Sequence, residues 1–159
     1  MSQATLSGDI CTSGATLSAT YREAVSVPRT TILLADDNLV VLDHVRKMLE
    51  TEKDYKVVAV VSDGTSVVRE YLRLRPDIIS LDISMGPESG IDIGRQLRDS
   101  GCDAKIIFLT VHQDSDYVNA AMGAGGSAYV VKSRLNMDLF PAINAVLSNK
   151  LFVSPTLMR

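Results

Sequence analysis

A chain of 159 residues and 17.2 kDa is the size of one domain, and 46% apolar with 22% charged residues is the composition of a packed globule, which excludes disordered, fibrous and two-domain readings. The balance of 16 Lys and Arg against 19 Asp and Glu leaves a net charge of -3, without the positive excess that phosphate-backbone binding draws on, so direct nucleic acid binding by this segment is disfavoured. No apolar run approaches the ~18 residues of a bilayer span, and the start lacks the basic and apolar parts of a secretory signal, so a cytoplasmic location without membrane contact is expected.

Residues 1–28 are rich in Ser and Thr and show no sustained apolar period; they read as a mobile leader ending at Pro28, with no function assigned. From there on, short β-branched apolar runs alternate with segments of helical period. Strands are predicted over 31–35, 56–61, 77–81, 105–110 and 128–131, and helices over 38–51, 65–73, 90–99, 115–122 and 137–149. Each strand candidate is nearly all apolar, as burial on both faces demands, so all five are expected to be central. The predicted fold is α/β, a single (βα)5 domain with a doubly wound five-stranded parallel sheet and helices on both faces. On the first helix Val41, Leu42, Val45, Met48 and Leu49 form one core stripe, and Leu39 and Val40 fall off it. Residues 123–128 match G-x-G-x-x-A, but they close a helix and open a strand, the reverse of a dinucleotide loop. Pro141 interrupts the last helical pattern, so regular helix is expected to start near Phe140, with residues 136–139 irregular. Cys11 and Cys102 are too few and too separate for a disulfide framework or a Cys-rich zinc site and read as reduced thiols.

In an open α/β sheet, ligands gather at the carboxyl ends of the strands. There the first strand runs into Asp36 and Asp37, the third into Asp82, the fourth ends at Thr110 and the fifth runs into Lys132. Clustered carboxylates either raise their own pKa values or are neutralised by a cation. An all-oxygen donor set completed by waters suits Mg²⁺ better than Ca²⁺. A metal beside an Asp also screens the repulsion between that carboxylate and an incoming phosphoryl group, whose oxygens Lys132 and Thr110 would hold.

The acidic pair in ILLADDN, the Asp in IISLDISMGPESG, the hydroxyl in IIFLTVH and the aromatic and lysine in AYVVK closely resemble the receiver domain of two-component response regulators, most like the NarL-type subfamily. The resemblance covers about residues 30–155 and implies a flavodoxin/CheY-like fold, with a receiver over 29–155 and a short tail over 156–159. It implies Asp82 as phospho-acceptor, with Asp37, Asp82 and the main-chain carbonyl of Ser84 as direct Mg²⁺ ligands and Asp36 acting through a coordinated water. Thr110 and Tyr129 are the implied switch pair, and Ser84 and His112 match positions that tune how long the phosphoryl group survives. Leu39 and Val40, exposed beside the acceptor, would meet the histidine-bearing helix of the partner, a sensor histidine kinase or histidine phosphotransfer protein. A homodimer on phosphorylation is compatible with this reading. Such a domain is no conventional enzyme, since it catalyses only its own phosphorylation and dephosphorylation.

The family usually shows Met-Pro-Gly after the acceptor, and this chain has Met85-Gly86-Pro87, so a different loop conformation is expected there. The run Leu151-Phe152-Val153-Ser154-Pro155 looks like the receiver terminus in NarL-type regulators, just before a linker to a helix-turn-helix domain. Both a fragment of a transcription regulator and a stand-alone receiver fit it, the fragment better. Three other readings fit the sequence less well. A flavin module would set its phosphate against two repelling carboxylates. A haloacid-dehalogenase-like phosphatase wants D-x-D-x-[TV], which neither acidic strand end provides. A phosphorylation-independent pseudo-receiver would be suspected from a missing acceptor, metal ligand or lysine, and here all are present.

Overall fold

The computed structural model describes residues 28–157. The leader expected over 1–28, apart from Pro28 itself, and Cys11 lie outside the described residues, as do the last two residues of the expected tail. Cys102 is a buried free thiol.

The chain alternates β1 (Thr30–Ala35), α1 (Leu39–Glu50), β2 (Tyr55–Val61), α2 (Gly64–Leu74), β3 (Ile78–Asp82), a short hairpin of β4 (Ser84–Met85) and β5 (Glu88–Ser89), α3 (Gly90–Asp99), β6 (Lys105–Thr110), α4 (Ser115–Gly123), β7 (Ala128–Val131), α5 (Leu135–Leu147) and β8 (Phe152–Val153). The main sheet is parallel throughout, in the order β2-β1-β3-β6-β7-β8. Successive strand residues face opposite sides. Ile32, Leu34, Ile107, Leu109 and Val130 therefore meet α1 and α5, while Leu33, Ile79, Phe108 and Tyr129 meet α2, α3 and α4. The stripe predicted on α1 holds: Leu42, Val45 and Leu49 are buried, and Val41 and Met48 pack at their margin.

Three expectations need correction. The sheet has six strands, not five, because Phe152–Val153 adds to the outer side of β7; two residues are too short to display a period in the sequence. The predicted strand over 56–61 is not central. As β2 it forms one edge of the sheet, and Lys56 and Val60 are exposed; its run is apolar because Tyr55 and Val57 pack on one face and, past a register shift, Ala59 and Val61 pack on the other. Finally, α5 is regular from Leu135, with Pro141 inside it, where irregular structure over 136–139 was expected. An interior proline costs about 3 kcal/mol. Against it, Leu135, Leu139, Ile143 and Val146 are buried on one face of the same helix, each such side chain contributing about 1.5–3 kcal/mol, and Pro141 itself is exposed. Packing wins, and the 3-10 turn Lys132–Arg134 leads directly into the helix.

Candidate functional site

β1 lies between β2 and β3, so the chain leaves β1 in one direction and returns on the other side, which opens a crevice at the carboxyl ends of β1 and β3. The residues that follow β1 and close β3 are the carboxylates. Asp36 and Asp82 are buried, at 2% and 3% exposure, and Asp37 is exposed. One oxygen from each of the three lies within 4.8 Å of the others.

Local hydrogen bonds fix this cluster. Asp36 Oδ1 accepts from the Asn38 N–H (2.8 Å), and Asn38 Oδ1 caps α1 by accepting from Val40 N–H (3.0 Å) and Val41 N–H (3.3 Å). Asp82 Oδ1 accepts from Ser84 N–H (3.1 Å), and Asp37 Oδ2 from Gly86 N–H (3.0 Å). The inverted Gly86-Pro87 order forms the turn of the β4–β5 hairpin, with Gly86 at φ 64°, a left-handed angle that glycine adopts without strain. At Gly90 the Ile83 carbonyl accepts from its N–H (2.6 Å), and a Cβ there would overlap the Asp82 carbonyl, so glycine is required.

The fourth charge is Lys132, the first residue after β7. Its ammonium lies 2.7 Å from Asp36 Oδ2 and 3.3 Å from Asp82 Oδ2. Burial, and secondarily the charge of Asp36, push the Asp82 carboxyl up to about 6; the Lys132 ammonium and the Ser84 N–H pull the other way. Asp36 Oδ2 is buried and has the ammonium contact without hydrogen-bond geometry, so one lone pair in the cluster lacks a donor. Three converging carboxylates, one raised in pKa and one with a buried lone pair lacking a donor, fit a hard divalent cation.

Thr110, which closes β6, is fully buried, and its Oγ1 accepts from His112 N–H (3.0 Å). Tyr129 is turned inward with no exposed surface, and its phenol, pushed up to about 12 chiefly by burial, donates to the His112 carbonyl (2.8 Å). The His112 ring stacks on Tyr117 at 4.1 Å and 13°, and its Nε2 lies 2.9 Å from Ser84 Oγ. Ser84, Gly86, His112 and Tyr117 thus wall a cavity of about 260 Å³ beside Asp82. A larger cleft of about 670 Å³ opens near Arg75 and Lys105, which sit at the amino ends of β3 and β6, away from the carboxylates. Leu39 and Val40 are 70% and 78% exposed at the start of α1.

Of the candidate site residues, Asp36, Asp37, Asp82, Ser84 and Lys132 gather at the crevice, Thr110 and Tyr129 are tied to it through His112, and Leu39 and Val40 stand outside it. Sequence reasoning missed Tyr117, whose stacking on His112 has no sequence signal, and the Arg134–Asp138–Ser154 network, whose trace is the i, i+4 spacing of Arg134 and Asp138.

The model of the response regulator receiver domain matches residues 32–144. The oxygen regulatory protein NreC of Staphylococcus epidermidis is 32% identical over 123 residues, and that of Staphylococcus aureus 31%. The matched segment is 77% of this chain and 56% of the S. epidermidis protein, so the chain spans little more than half of that relative. A two-component response regulator of the LuxR family from Aurantimonas superposes with a TM-score of 0.78 at 33% identity, covering 82% of this chain and 93% of that one. The isolated receiver domain of RcsB from Salmonella enterica serovar Typhimurium, with the phosphomimetic BeF3⁻, gives 0.77 at 25% identity, covering 82% and 97%. The chain belongs to the response regulator receiver domains of two-component systems, and among them to the NarL-type group.

Proposed function

We infer that this domain accepts a phosphoryl group on Asp82 from a phosphohistidine of a sensor histidine kinase or histidine phosphotransfer protein. The observation that carries the reading is the buried Asp82 carboxylate at the crevice, flanked by two acidic neighbours and by the Lys132 ammonium at 3.3 Å. Asp37, Asp82 and the Ser84 carbonyl would hold Mg²⁺, with Asp36 acting through a water. When bound, the metal neutralises the carboxylates and the incoming phosphoryl oxygens. An Asp82 oxygen attacks phosphorus, the P–O bond forms as the P–N bond breaks, and the imidazole leaves with its proton. Lys132, drawn from its carboxylate partners, and the Thr110 hydroxyl then hold phosphoryl oxygens.

Thr110 and Tyr129 form the switch: movement of Thr110 toward the phosphoryl group alters the bonds through which His112 ties it to the Tyr129 phenol. Ser84 and His112 set the lifetime by covering the water's path to the acyl phosphate. Leu39 and Val40 are the docking contacts for the partner's helix, so Val40→Asp should slow transfer from the kinase more than transfer from a small donor. The domain is the input module of a cytoplasmic transcription regulator, over residues 29–155, and pairs with a second copy on phosphorylation. Intact-mass measurement after incubation with Mg²⁺ and acetyl phosphate tests the central step. One phosphoryl adduct, absent in Asp82→Asn and in chelator, is expected; an adduct persisting in Asp82→Asn would overturn it.

A further inference from the structure

Ser154 follows β8 and is fully buried. Its N–H donates to the Tyr129 carbonyl (2.9 Å), and its hydroxyl accepts from the Val131 N–H (3.0 Å) and donates to Asp138 Oδ2 (2.8 Å). Its carbonyl accepts from Leu157 N–H (2.9 Å), which closes the 3-10 turn Pro155–Leu157. Asp138, 4% exposed in the first turn of α5, is held from the other side by Arg134 Nε at 2.8 Å and Nη2 at 3.2 Å. A buried carboxylate and hydroxyl persist only when paired in this way.

What the network touches separates it from a plain strand anchor. Val131 precedes Lys132, whose ammonium bridges Asp36 and Asp82. Tyr129 donates its phenol to the His112 carbonyl, and His112 donates its N–H to Thr110 Oγ1. One serine thus grips, from the outer edge of β7, the main-chain groups next to Lys132 and in Tyr129, and is bonded also to α5 and to the chain that continues past β8. Val153 and Leu157 pack on the same core that holds Tyr129.

We propose that Ser154 is a coupling joint through which the state of the Asp82 crevice sets the docking of residues 152–157 on the sheet. The proposal rests on the reading of Asp82 as phospho-acceptor. When Lys132 and Thr110 take up phosphoryl oxygens, the Val131 amide and the Tyr129 carbonyl shift together. Both end on Ser154, so the strand β8 and its turn must follow or detach.

Hydrogen exchange of the full chain, with and without Mg²⁺ and beryllofluoride as phosphoryl mimic, tests this. In the wild type the mimic should change exchange at 110–112, at 127–131 and at 152–157, the last by about threefold or more. In Ser154→Ala the response at 110–112 should persist while that at 152–157 disappears. Arg134→Gln cuts the outer ion pair but leaves the Val131–Ser154–Asp138 path, and should keep the response at 152–157. A wild type that responds at 110–112 but not at 152–157 overturns the joint alone, and decides the matter even if Ser154→Ala does not fold. So does an undiminished response in Ser154→Ala, or its equal loss in both variants, which marks a structural anchor. A wild type without response at 110–112 overturns the phospho-acceptor reading and the joint with it.

Discussion

At Asp82 the chain keeps a carboxylate where burial and the neighbouring Asp36 both oppose its charge. A folded-state value of about 6 lies above the ordinary carboxylate range, so the stability it contributes is complete below about pH 4 and is lost as pH rises through about 6. Without metal, Asp82→Asn should therefore be more stable than the wild type at neutral pH, by about 1–2 kcal/mol once the lost attraction to Lys132 is discounted. The gap should close toward pH 4, where the native carboxyl is itself neutral. Chemical denaturation in chelator at several pH values measures it, and an equal or less stable variant at neutral pH would contradict the assignment. His112 behaves differently, because its ring is held between Tyr117 and Ser84 as a cover over the cavity. His112→Ala should shorten the lifetime of the phosphorylated form several-fold, read as the decay of the phosphoryl adduct after donor removal. An unchanged lifetime would assign the imidazole to the rim alone. These positions were legible in the sequence because each stands at the carboxyl end of an apolar run, where strand topology alone brings them together. Ser154 and Asp138 were not, since a buried hydroxyl and carboxylate look like surface residues until the fold encloses them.

Among the elements, the βα alternation was readable wherever an apolar period ran for four residues or more. It failed where the deciding contact was distant in sequence. β8 exists because the outer edge of β7 needs partners, and α5 runs through Pro141 because its apolar face has a sheet to cover. The second case gives a direct prediction. Pro141 is exposed, so Pro141→Ala restores an N–H for the Met137 carbonyl without disturbing the core. It should raise stability by about 1–2 kcal/mol, part of the ~3 kcal/mol helix cost being offset by the greater freedom of the unfolded chain. A rise of several degrees in Tm checks it, and a fall would show that the proline fits a bend the helix requires.

For the molecule as a whole, the six-stranded sheet is a frame that holds three carboxylates and an ammonium from three separate segments in one crevice. Mg²⁺ should stabilise the folded chain by mass action, about 1.4 kcal/mol at ten times its Kd, and Asp37→Ala should abolish that rise in Tm. A rise retained in Asp37→Ala would place the ion elsewhere. The most direct measurement of the central claim is chemical identification of the modified residue. The protein is treated with acetyl phosphate and Mg²⁺, the acyl phosphate is reduced with borohydride, and the peptides are sequenced by mass spectrometry. The account predicts conversion of Asp82 to the corresponding alcohol, homoserine, and of no other carboxylate. Modification at Asp36, Asp37, Ser84 or His112 with Asp82 intact would contradict it.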